Sequence, residues 1–147
     1  MAWTLRVERT VPFPREAVYA WWTDFREDDH RGPDAPATST RLVLPREGRD
    51  VWLRDVATRP ARVTVDAHVV LDPPHGYRVR ARYPLADADY AYRFEPVPEG
   101  TRILLTGTIL PRHVGRILVP LSAPWWRGYA ARDLDFHLRE MAGDLGP

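Results

Sequence analysis

Between Ser39 and Pro111 short runs of alternating apolar and polar residues are broken again and again by proline, glycine or aspartate. Such a chain reverses direction too often for long helices, and alternation between the reversals is the pattern of an antiparallel meander. The reversals fall at Pro45-Arg46-Glu47-Gly48, Thr58-Arg59-Pro60, Asp72-Pro73-Pro74-His75-Gly76, Pro84-Leu85-Ala86-Asp87 and Pro96-Val97-Pro98-Glu99-Gly100. They predict strands over 39–45, 49–57, 62–71, 76–83, 88–96 and 101–110.

Register follows from the alternation. Val63, Val65, Ala67, Val69 and Leu71 match Tyr77, Val79, Ala81 and Tyr83 on one apolar face. Pairing about Pro73-Pro74 sets Asp66 opposite Arg82 and His68 opposite Arg80 on a wetted face. The next turn would bring Tyr83 near Tyr90, Ala81 near Tyr92 and Val79 near Phe94. On the last strand two sets compete for the inner face, Leu104, Thr106, Thr108 and Leu110 against Ile103, Leu105 and Ile109. Were the second set outward, it would hint at a homodimer; the expected state is a monomer or a homodimer.

The flanks follow other periods. Trp3, Leu5, Val7 and Val11 alternate with Thr4, Arg6, Glu8 and Thr10, a first strand that Pro12 ends. Pro14 then opens a helix to about residue 22, with Val18, Trp21, Trp22 and Phe25 at helical spacing. Thr23 or Asp24 begins a second short helix reaching about His30, before Arg31-Gly32-Pro33-Asp34-Ala35-Pro36 breaks regular structure. After Pro111 comes a short His113–Val119 segment and, beyond Pro120 and Pro124, a long helix from about Trp125 to Ala142. Helices on one face of an antiparallel sheet make an α+β domain, here expected to span 1–147 as one unit.

Composition narrows the chemistry. The chain has no cysteine, which removes thiol catalysis and cysteine-rich metal sites, and its 21 basic residues are all arginine. Without lysine, asparagine or glutamine there is no Schiff-base lysine, no P-loop lysine and no side-chain amide for an oxyanion hole. A net charge of +1 with interspersed signs argues against nucleic acid as a partner. No apolar run approaches the roughly 20 residues that span a bilayer. The N-terminus lacks the apolar block of a signal peptide, so a cytoplasmic location is expected.

A twisted seven-strand sheet curls, and a long helix laid across its concave side leaves a cavity. This order of elements resembles the START-like superfamily, in particular its polyketide cyclase/dehydrase and lipid-transport group, whose helix-grip fold is then the expected architecture. The resemblance rests on Val11-Pro12-Phe13-Pro14-Arg15-Glu16-Ala17-Val18-Tyr19 followed by Thr23-Asp24-Phe25, with Tyr19 where the family usually has tryptophan. It rests also on Tyr92-Arg93-Phe94-Glu95-Pro96 with Gly100-Thr101-Arg102, and on Leu110-Pro111 through Val114-Gly115-Arg116-Ile117-Leu118. These motifs are structural, so they carry fold rather than chemistry.

The aromatics expected on the two cavity walls are Tyr77, Tyr83, Tyr90, Tyr92 and Phe94 from the sheet, and Trp125, Trp126, Tyr129 and Phe136 from the helix. Buried tyrosines need partners for their hydroxyls, which water or a polar ligand edge in a cavity supplies. With Thr106, Asp133 and His137, the residues Tyr77, Tyr90, Tyr92, Phe94, Trp125, Tyr129 and Phe136 form the candidate ligand site. Alternation puts Arg9 on the apolar face of strand one, to be met by Asp133 or Asp55 or to reach solvent at the strand end.

Asp28-Asp29-His30 reads as a solvated helix end, and the five histidines are scattered, so neither a metal nor any other cofactor is expected. Ser39 and Ser122 are the only serines and sit on no nucleophile elbow. The leading expectation is binding of a hydrophobic or amphipathic small molecule such as a lipid, isoprenoid, quinone or polyketide. An alternative is an aromatase/cyclase or dehydrase that positions its substrate beside Tyr90, Tyr92, Asp133 or His137. A third is a protein-interaction module using Arg78, Arg80, Arg82 and Arg93 on the convex face.

Overall fold

The computed structural model describes residues 2–27, 40–58 and 62–146. The elements are β1 (Trp3–Val11), α1 (Arg15–Trp22), β2 (Thr40–Val43), β3 (Asp50–Ala57), β4 (Val63–Asp72), β5 (Gly76–Arg82), β6 (Ala86–Val97), β7 (Gly100–Pro111) and α2 (Gly115–Leu145). Strands β2 to β7 pair in sequence order, and β1 closes against β7, giving one antiparallel sheet ordered β1-β7-β6-β5-β4-β3-β2. This is the helix-grip architecture expected from the sequence. The second short helix expected from Thr23 or Asp24 does not begin there: residues 24–27 form no helix, and Phe25 takes φ 46°, while Asp28-Asp29-His30 lie outside the described residues.

One face of the sheet holds the core. Val51, Val69, Phe94 and Ile103 are almost fully buried there, and α2 lays Leu134 and Met141 against them. Helix α1 closes one end: Trp22 packs on Tyr92 and Phe94, with ring centroids at 5.6 and 6.2 Å. Beside it Thr101 is fully buried and donates from Oγ1 to the Phe13 carbonyl at 2.7 Å, tying β7 to the residues just before α1.

Further expectations change. The β5–β6 hairpin is tighter than the sequence suggested: Tyr83 N–H donates to the Ala86 carbonyl at 2.9 Å, so Pro84 and Leu85 alone span the tip. Tyr77 therefore faces Tyr92, and Val79 faces Tyr90. The slip is by an even number of residues, so every side chain keeps its expected face.

On β7 the contest is settled for Ile103, Leu105 and Ile109, all buried, while Leu110 is exposed. An outward apolar row that would have hinted at a dimer is therefore not there.

Helix α2 is continuous from Gly115 and contains both Pro120 and Pro124. An interior proline removes a backbone donor and crowds the carbonyl four residues earlier, a cost of about 3 kcal/mol in an isolated helix. Burial of Val119 and Ala123 on either side of Pro120 offsets it. Ser122 Oγ donates to the Val119 carbonyl at 2.9 Å and accepts from Trp126 Nε1 at 3.0 Å, stitching the same stretch.

The Arg9 prediction is half right. Its guanidinium does turn toward α2, but it meets Asp135, Nε to Oδ1 at 2.8 Å and Nη2 to Oδ2 at 3.2 Å, rather than Asp133 or Asp55. The continuous helix sets this phase, bringing Asp135 over β1 and turning Asp133 toward the sheet centre.

Candidate functional site

Sheet and helix do not meet everywhere. Between them lies a cavity of two lobes, about 250 Å³ and about 140 Å³, which share Tyr83, Tyr90, Tyr92, Tyr129 and Asp133 as lining. The smaller lobe runs under the β5–β6 tip, bounded by Leu5, Leu105, Ile109 and Trp126. Gly107 makes room for it: a Cβ at that position would stand 3.3 Å from both Leu5 Cγ and Tyr90 Cβ. The larger lobe opens toward β2 and β3 and is bounded by Trp22, Leu53 and Val65.

The polar groups of the larger lobe are more numerous than the sequence suggested. Arg41 on β2 and Asp55 on β3 are register partners, and their side chains form a two-point pair at 2.7 and 2.8 Å. Both line the lobe, facing Asp133 and His137 from the helix. His137 Nε2 lies 3.6 Å from Asp133 Oδ1, one helical turn away, and its Nδ1 lies 3.2 Å from Glu140 Oε2. Arg41 is the residue that sequence reasoning missed. The signal was available, because strict alternation from Val43 back to Arg41 and from Leu53 on to Asp55 puts both on the apolar face.

Tyrosines dominate the wall: Tyr83, Tyr90, Tyr92 and Tyr129 face both lobes, and Tyr77 faces the larger one. Burial, reinforced by neighbouring phenols, holds the hydroxyls of Tyr77 and Tyr90 well above the ordinary phenol pKa. Burial, and then the Asp133 charge, does the same for Tyr92. Tyr83 is pushed up to about 12, first by burial and then by Tyr129, Asp55 and Asp133. At neutral pH these phenols keep their protons, so the cavity presents hydroxyls that both donate and accept.

The remaining predicted site residues divide. Tyr77, Tyr90, Tyr92, Tyr129, Asp133 and His137 line the cavity. Phe94 does not: it is 2% exposed and packs between Tyr19, Trp22 and Tyr77 as core. Thr106 lies on the opposite, convex face, because Leu105 and Gly107 on either side of it take the inner positions. Trp125 is 53% exposed and lines neither lobe, since the unbroken helix points Trp126 and Ala130 inward instead. Phe136 also lines neither lobe and rests its ring edge on His137 at 5.5 Å.

On the convex face Arg80 lies 3.6 Å from Asp89 and Arg82 lies 3.8 Å from Asp87. Exposed pairs of this kind contribute little and leave no strong one-sign field. Among the described residues no group of three or more His, Cys, Asp or Glu stands together to hold a metal ion.

The family described as polyketide cyclase / dehydrase and lipid transport matches residues 2–146. The chain belongs to this family. Similar folds occur in solved structures of low sequence identity. A protein from Thermus thermophilus aligns over 98% of this chain and 99% of its own, at 22% identity and a TM-score of 0.78. The di-domain ARO/CYC StfQ from the steffimycin biosynthetic pathway aligns over 95% of this chain and 49% of its own, at 14% identity and a TM-score of 0.77. Ara h 8.0201 aligns over 77% of this chain and 80% of its own, at 14% identity and a TM-score of 0.60. A sequence search among curated proteins finds no match. As a polyketide cyclase/dehydrase and lipid transport family member, the chain carries its cavity where sheet and C-terminal helix part. Among the described residues no helix is long and apolar enough to cross a membrane.

Proposed function

We propose that residues 1–147 act as one START-like ligand-binding domain that takes up an amphipathic small molecule with polar edges, quinone- or polyketide-like, in the two-lobed cavity. The observation that carries this reading is the shared wall of Tyr83, Tyr90, Tyr92, Tyr129 and Asp133, where an apolar lobe meets one bearing Arg41, Asp55 and His137. Apolar area supplies affinity at about 25 cal/mol per Å², and a few fixed polar groups orient the ligand. Phenol hydroxyls and the charged Arg41–Asp55 pair in the lining favour a ligand with polar edges over a saturated chain.

Native mass spectrometry of the purified protein, with extraction of any adduct, tests this directly. Titration with 1,4-naphthoquinone, followed by tryptophan quenching, supplies a defined probe. Tyr129→Ala and Tyr90→Phe should weaken binding of the probe while leaving thermal unfolding nearly unchanged. Unchanged binding in both variants would make these tyrosines ordinary wall.

A cyclase or dehydrase activity is the second reading, favoured by one feature: Asp133 and His137 approach each other inside the larger lobe. A substrate held against that pair would have an acid and a base within reach. His137→Ala and Asp133→Asn would then abolish turnover of a bound polyketide with little change in its affinity.

A further inference from the structure

The inward side chains of β6 change size abruptly along the strand. Phe94, Tyr92 and Tyr90 are large, whereas Ala88 and Ala86, next toward the β5–β6 tip, are small. Across the ladder Tyr90 pairs with Gly107 on β7, and Gly107 pairs in turn with Leu5 on β1. From the other side α2 brings Ala130 to the same place. Small residues of three elements therefore meet where the tyrosines end, and the smaller lobe, of about 140 Å³, is the space they leave.

The backbone does not require glycine at position 107. The glycines with positive φ are Gly48, Gly76, Gly100 and Gly146, while Gly107 is an ordinary strand residue paired on both sides. A glycine inside a strand forgoes side-chain packing and costs backbone entropy, and such a position often marks the close approach of another group. A Cβ at Gly107 would stand 3.3 Å from Leu5 Cγ and from Tyr90 Cβ, so any side chain there must push these neighbours or reach into the lobe. Position 107 thus controls how much of the lobe stays open.

The two lobes also differ in chemistry. Arg41, Asp55 and His137 line only the larger one, and Leu105, Ile109 and Trp126 line only the smaller. We infer that Gly107 is a specificity-determining residue: it fixes the length of apolar tail that the domain accepts, with the tail in the smaller lobe and the polar ring of the ligand in the larger. This rests on the binding of an amphipathic ligand proposed above, and narrows its class to a ring with polar edges that carries a short apolar substituent.

Titration calorimetry with 1,4-naphthoquinone and its 2-ethyl, 2-butyl, 2-hexyl and 2-octyl derivatives tests it. Each methylene that enters the smaller lobe should tighten wild-type binding about fourfold, until the lobe is full and the gain stops. Gly107→Val, and Ala130→Leu from the helix side, should end the gain at a shorter tail. The advantage of the hexyl compound over the parent ring should then shrink about tenfold or more. Reading this ratio cancels any loss that both compounds share. Far-ultraviolet circular dichroism reports whether each variant is folded. Should Gly107→Val not be, Gly107→Ala takes its place, because it asks Leu5 and Tyr90 to give by only a few tenths of an ångström. A gain that ends at the same tail length in wild type and in either folded variant overturns the inference. So does a gain that never levels off, the mark of tails lying on open surface. If no compound of the series binds the wild-type protein, the ligand reading itself fails and the inference with it, an outcome distinct from binding with an unchanged tail limit.

Discussion

The Arg41 guanidinium and the Asp55 carboxylate meet at 2.7 and 2.8 Å across the β2–β3 ladder, on the cavity side of the sheet. Their side chains are only 13 and 30% exposed, so the pair holds its charges in a partly dry place. Asp55→Asn takes away the anion that faces the guanidinium and should lower stability by about 1–2 kcal/mol in urea denaturation. Arg41→Met combined with Asp55→Leu should regain most of that loss, because an apolar pair removes both desolvation costs. A double variant as unstable as the single one would contradict this account.

Alkaline unfolding should be steep. In the unfolded chain a tyrosine ionises near 10.0, whereas burial raises Tyr77, Tyr90 and Tyr92 above that value and Tyr83 to about 12. Between those limits the unfolded state releases protons that the folded state retains, so stability is intact below pH 10 and declines as pH rises toward 12. Tyr90→Phe removes one of these titrations and should flatten the decline in urea midpoint. An identical slope in wild type and variant would show that the phenol ionises as freely in the fold as outside it.

Glycine-to-alanine changes along α2 should differ in sign. At Gly115 the new methyl meets the Leu85 backbone, so Gly115→Ala should cost about 2–3 kcal/mol and loosen the helix start from the hairpin tip. At Gly128 and Gly143 nothing stands within 4 Å of the added Cβ. There alanine should stabilise by up to about 1 kcal/mol through helix propensity. Thermal unfolding of the three variants checks the order.

Pro124→Ala restores a backbone donor in the middle of α2 at an exposed position. The midpoint of thermal unfolding should rise, corresponding to about 1–3 kcal/mol. A fall would mean that the proline ring packs in a way the helix depends on.

Much of this architecture was legible in advance because strand alternation is local. Period two in Val63–Leu71 and Tyr77–Tyr83 fixes which side chains face inward, and the observed pairs Asp66–Arg82 and His68–Arg80 follow from the Pro73-Pro74 turn. The β5–β6 pairing did not follow, because four turn-forming residues in a row allow more than one loop length. Tyr83 bonding to Ala86 selects the short one. Parity survived the slip, which is why Tyr77, Tyr90 and Tyr92 still line the cavity.

The helix wall was harder to read. Two prolines argued for a break, and a helix restarted after Pro124 would leave the phase of Trp125 and Phe136 open. The intact helix sends Trp125 to solvent and leaves Phe136 at the margin, while Asp133 and His137 enter the larger lobe.

By itself the sequence determined the order of elements, the faces of the strands and the exclusion of lysine and thiol chemistry, because propensity, alternation and composition act over a few residues. The tertiary structure decided which residues on those faces touch one another. It alone joined Arg41 to Asp55 and Arg9 to Asp135, opened the space beside Gly107, and kept α2 unbroken through its prolines. Those outcomes depend on how far the sheet curls and where the helix lies across it. Both are set by the packing of the whole core, which no short stretch of sequence contains.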